Sequence, residues 1–142
     1  MGLCIRIVER RIRGHLYILQ RKINKCVIYK MKELYVHLFH ILIVGTIFLY
    51  VGIKSTNTPP FMYPVLLTLG IVILFYHAYK VYLKVSAGKN PWVNLFHILI
   101  VAPVLIYIGY NKQTTPRYMY EFLLMLGFAA IGYHGYYAII SN

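Results

Sequence analysis

Four histidines stand at matched places in two copies of one apolar repeat. His40 and His97 lie inside LFHILIV, written identically at Leu38–Val44 and Leu95–Val101, and His77 and His134 each follow a tyrosine, again 57 positions apart. Imidazole can ligate a metal ion, hold a haem iron axially, or relay protons near neutral pH. A quartet inside apolar helices would be a site of one of these kinds. The plainer alternative is that each imidazole hydrogen-bonds a tyrosine or a backbone carbonyl across a helix pair, as interhelical glue worth about 1 kcal/mol. Fifteen tyrosines make partners plentiful. No carboxylate lies within the apolar runs to orient a ligand imidazole or accept a proton, which favours the packing reading. His37 falls outside the quartet because its counterpart is Asn94, and His15 belongs to the basic N-terminal segment. The expectation is therefore no resident cofactor, with a haem or metal at His40, His77, His97 and His134 as the alternative.

Other reaction chemistry is missing from the sequence. The apolar runs hold no lysine for a Schiff base, and there are no paired carboxylates, no phosphate-binding glycine loop and no potassium-filter sequence. The chain reads as a non-enzyme without catalytic residues.

The elements that would hold the histidines are repeated with them. Sliding the chain by 57 aligns Val36–Tyr82 with Val93–Ile139 without a gap, pairing Tyr50 with Tyr107, Gly52 with Gly109, Pro59 with Pro116, Tyr63 with Tyr120 and Gly70 with Gly127. Each copy contains two uncharged apolar runs, Leu34–Ile53 and Phe61–Tyr79, then Trp92–Tyr110 and Phe122–Asn142. A run of about 20 residues matches the hydrocarbon thickness of a bilayer. Helices apolar all round call for lipid rather than water. KSTNTPP (Lys54–Pro60) and NKQTTPR (Asn111–Arg117) read as hairpin loops, and KVSAGKNP (Lys84–Pro91) as the connection between copies.

The expected fold is all-α: an integral membrane four-helix bundle of two tandem, parallel helical hairpins behind a basic amphipathic N-terminal helix. Residues 1–33 form the arm, 34–83 the first hairpin, 84–91 the connecting loop and 92–142 the second hairpin. Tyr63, Gly70 and His77 are spaced by seven, as are Tyr120, Gly127 and His134, which puts each trio on one packed helix face. Pro103, aligned with Thr46, predicts a kink in the third span. Glu121 falls in the first turn of the fourth, at a favourable dipole end.

The chain is 60% hydrophobic yet carries a formal net charge of +12. Segregation reconciles the two: nine of the fifteen Lys and Arg lie in the first 33 residues. There Ile5, Val8, Ile12, Leu16, Leu19, Ile23 and Cys26 recur at spacings of three and four, the stripe of an amphipathic helix. Arg6, Arg10, Arg11, Arg13, Arg21, Lys22 and Lys25 are the candidate membrane-surface residues, with anionic lipid as partner. A nucleic acid or an acidic protein is the alternative partner, since phosphate contacts need only Lys and Arg. Twelve basic residues fall on the arm side of the spans and three on the hairpin-loop side, so the positive-inside rule puts both termini in the cytoplasm. Cys4 and Cys26 would stand roughly 33 Å apart along a helix, too far for a disulfide. No cleavable signal peptide is apparent. MGLC suggests lipidation, but Arg6 stands where the myristoylation pattern has Ser or Thr. Met31 is a second candidate start, which would delete most of the arm.

The basic N-terminus and the duplicated LFHILIV…Y.G…P..MY…G…YH.Y hairpin over Val36–Ile139 resemble the small multi-pass membrane proteins of large DNA viruses of eukaryotes. That resemblance implies residence in a virion membrane or in a host membrane used for assembly, and it carries over no functional residues. The leading functional expectation is a structural or scaffold role in such a membrane. A small channel or carrier formed by homo-oligomers, and a haem- or metal-binding redox protein, are the alternatives.

Overall fold

The structure is a computed structural model and describes residues 20–22, 24, 28 and 30–140. Among the described residues all regular structure is helical. Four helices are each long and apolar enough to cross a membrane: α1 (Lys30–Asn57), α2 (Met62–Ser86), α3 (Trp92–Thr114) and α4 (Arg117–Ile140). Helix α1 passes through Glu33–Leu34, where charge alone drew a boundary, without interruption. Arg21 and Lys22 are helical and exposed, whereas Arg6, Arg10, Arg11, Arg13, Lys25, both cysteines and the apolar stripe of the arm lie outside the described residues.

Sequence punctuation sets the helix ends. After Lys54 and Asn111 the chain turns through Ser55 (φ 52°) and Lys112 (φ 54°), residues 57 apart in the same left-handed conformation. One 3₁₀ turn follows in each case, and then an extended threonine, Thr58 or Thr115, in front of proline. The Thr58 hydroxyl donates to the Ser55 carbonyl at 2.7 Å, closing the first of these turns. Between α2 and α3, Gly88 takes φ 64°, a value that favours glycine, and its N–H returns to the Val85 carbonyl. The Asn90 side chain then accepts from the Trp92 N–H at the start of α3.

Close packing pairs α1 with α4 and α2 with α3, with lighter contact between α3 and α4. Glycines permit the approach. A Cβ at Gly109 would lie 2.5 Å from the Leu67 nitrogen, and one at Gly52 would lie 2.7 Å from the Leu124 Cβ. The core sits in the hairpin-loop half, where Phe48, Val51 and Leu66 are buried with their counterparts Leu105, Ile108 and Leu123. At its centre the hydroxyls of Tyr63 and Tyr120 meet at 3.4 Å, and Tyr120 donates to the Lys112 carbonyl at 2.9 Å. The other half is looser. Within 30–43, 71–100 and 128–140 only Asn94 and His134 are buried.

Two helices change pitch. α1 widens into a π-helix over His40–Gly45, and α3 does so over His97–Val101. The irregularity expected at Pro103 is therefore a π-turn that precedes the proline and also occurs in α1, which has none. In α1 the Thr46 hydroxyl donates to the Leu42 carbonyl at 2.7 Å. Glu121 pairs with Arg117 at 3.0 Å on the exposed first turn of α4, a surface pair worth little.

Candidate functional site

The LFHILIV phrase is where both helices widen, and the widening begins at its histidine. π-turns inside helices occur frequently at functional sites. In each case the imidazole reaches back one turn along its own helix: His40 Nδ1–H donates to the Val36 carbonyl at 2.8 Å, and His97 Nδ1–H to the Val93 carbonyl at 2.7 Å. A carbonyl oxygen only accepts, so the proton of each neutral ring is on Nδ1 and the lone pair on Nε2.

The second-helix histidines come from the heptad faces. Tyr63 and Gly70 are buried on α2 and His77 is half-buried; Tyr120, Gly127 and His134 are all buried on α4. All four histidines meet at one level, as the 57-residue register required. His40 of α1 stacks on His134 of α4 with ring centres 4.2 Å apart, and His77 of α2 stacks on His97 of α3 at 4.2 Å and 9°. Each close helix pair thus carries one imidazole stack. The two stacks approach through His40 and His97, 6.3 Å apart with ring planes at 82°.

Two partners escaped the sequence reading. Asn94 Oδ1 accepts from His77 Nδ1–H at 3.2 Å, and His37 Nδ1 meets His134 Nδ1 at 2.9 Å, one ring donating to the other. His37 and Asn94 are counterparts 57 apart, so the mismatch that set His37 aside joins two residues that do the same job. The signal was available: each of the two can hydrogen-bond an imidazole. A tyrosine or a backbone carbonyl across the helix pair was the expected partner; His40 and His97 instead bond carbonyls of their own helices, and His77 and His134 bond Asn94 and His37. Tyr76 and Tyr133 instead set their rings edge-on to His77 and His134. Asn94 Nδ2 is buried without a partner.

Around the imidazoles lies a cavity of about 420 Å³ lined from all four helices. Phe39, Phe48, Val72, Phe96 and Leu126 contribute to apolar walls, and Trp92 stands with Tyr133 among them. The volume falls in the range of small-molecule and cofactor pockets, about 300–1,000 Å³. Among the described residues no three His, Cys, Asp or Glu side chains form a group that could hold a metal ion. Such a cavity suits a largely apolar molecule oriented by a few imidazoles.

No protein-family model, curated protein or solved structure matches the chain.

Proposed function

We propose that the chain is a non-enzymatic multi-pass integral membrane protein, a scaffold of two tandem hairpins whose interior receives an apolar guest. The observation that carries this reading is the cavity of about 420 Å³ at the level of the imidazoles, lined by helices long enough to cross a bilayer. The outer surface supports the bilayer setting. Ile53, Phe75, Leu99 and Ile139 are between 69% and 78% exposed, a surface suited to lipid and prone to aggregate in water. Matched π-turns, imidazole–carbonyl bonds and left-handed turn residues at one offset support a tandem origin of the hairpins. With two spans each, the hairpins share one orientation about a pseudo-twofold along the membrane normal. The exposed Arg21 and Lys22 suit an arm resting on anionic lipid at the cytoplasmic face.

Native mass spectrometry of the full chain released from lipid nanodiscs tests the reading. The expected result is a retained apolar molecule, lost in Ala130→Phe, which places a ring in the cavity wall. Bare chain mass for both proteins overturns the receptacle.

A further inference from the structure

The guest itself can be named by its chemistry, on the premise that the cavity is a receptacle. We propose that the cavity is a haem site in which His40 and His97 supply the two axial nitrogens to an iron tetrapyrrole held between the helix pairs.

Their tautomers suit that role. Both rings spend their N–H on the carbonyl one turn back, Val36 or Val93, and keep a bare lone pair on Nε2. That is the form a metal ligand requires, and an Nδ1–H to backbone carbonyl bond is the usual device that orients a ligating imidazole. Lone pairs also exclude a class of guest. A quinone, which needs donors for its carbonyl oxygens, meets acceptors at both rings.

Their separation suits it as well. Two imidazoles on one metal, joined by two bonds of roughly 2 Å in line, have ring centres about 6 Å apart. His40 and His97 stand at 6.3 Å with ring planes at 82°, a separation that matches this spacing. His40–His134 and His77–His97, stacked face to face at 4.2 Å, are too close to hold an iron between them. His134 and His77 therefore flank the ligands, held in place by His37 and Asn94.

The surroundings choose between a bare ion and a tetrapyrrole. A divalent ion on two imidazoles would lack ligands and counter-charge in apolar walls, since among the described residues no third carboxylate, thiolate or imidazole completes a metal group. A porphyrin brings its own equatorial nitrogens and two negative charges, and asks the protein only for axial donors and apolar surface. Its carboxylates need a cation at the rim. Lys80 extends over the ring of Tyr76, a cavity-lining residue, at 5.8 Å.

Titrating ferric haem into the purified full chain in detergent tests the assignment. One equivalent should give a low-spin, six-coordinate spectrum with a sharpened Soret band. His40→Ala and His97→Ala should each convert it to a high-spin form, and added imidazole should restore the low-spin form, which shows that the variant is folded. His77→Ala and His134→Ala should stay low-spin with haem affinity reduced about 10- to 100-fold, the usual consequence of losing groups that support a ligand. A low-spin spectrum that survives His40→Ala or His97→Ala overturns the assignment. So does stoichiometric retention of iron, copper or zinc ions without porphyrin. Absence of haem binding by a protein that still carries an apolar guest in the mass spectrum overturns the haem and leaves the receptacle standing.

Discussion

Each imidazole of the cluster has one nitrogen committed, and the identity of the acceptor decides how replaceable it is. His40 and His97 use carbonyls of their own helices, which no side-chain substitution can remove. His77 relies on Asn94, a buried residue. Asn94→Leu therefore leaves the His77 N–H without its acceptor and should cost about 1 kcal/mol, the usual scale of an interhelical hydrogen bond. Asn94→His should restore most of that loss, because His37 does the same job opposite His134. Unfolding of the variants in mixed micelles, followed by circular dichroism, checks both; equal losses for Leu and His would show that Asn94 acts through packing alone. The gathering of the four histidines was legible in the sequence, since heptad spacing and one offset fix their level. Their partners were not, because a partner depends on which helices pack together, and local spacing carries no record of that.

Helices α1 and α3 show the same division between what a sequence encodes locally and what packing adds. Their apolar runs and proline-ended loops announce the helices, whose observed ends lie within a few residues of the charge-free runs. The π-turns at His40–Gly45 and His97–Val101 could not be read in advance, because the residues bounding them keep ordinary helical dihedrals (Phe39 φ −57°, ψ −45°) and no residue type is obligatory there. Pro103 drew attention to the region, but the shared feature is the phrase before it. Helix contact, by contrast, rests on glycines whose spacing could be read. At Gly109 a Cβ would collide with backbone, 2.5 Å from Leu67 N and 2.7 Å from Tyr63 O, and backbone cannot rotate away. Gly109→Ala should therefore destabilise by about 1–3 kcal/mol through overpacking between α2 and α3. At Gly132, in α4, the methyl of an alanine would meet nothing within 4 Å. Gly132→Ala should be neutral or stabilising by at most about 1 kcal/mol, from helix propensity. The same micelle assay compares the two, and equal effects would remove close approach as the reason for Gly109.

At the scale of the whole molecule, tight packing of α1 with α4 and of α2 with α3 means that each hairpin binds the other hairpin more closely than its own partner helix. The cavity follows from this: the two pairs meet around Tyr63 and Tyr120 and leave space between them at the histidine end. That end also carries Lys30, Lys32, Lys80, Lys84 and Lys89, so among the described residues charge and cavity lie on the same side. If twelve basic residues there set the orientation, the hairpin loops face away from the cytoplasm. Thr56 and Gln113 are exposed in those loops, and Ser86 is exposed at the opposite end of α2. With Cys4 and Cys26 first replaced by serine, Thr56→Cys and Gln113→Cys should react with an impermeant thiol reagent applied to sealed cells. Ser86→Cys should react only after permeabilisation. Labelling of Ser86→Cys in sealed cells would reverse the orientation, and labelling of one loop without the other would break the shared direction of the hairpins.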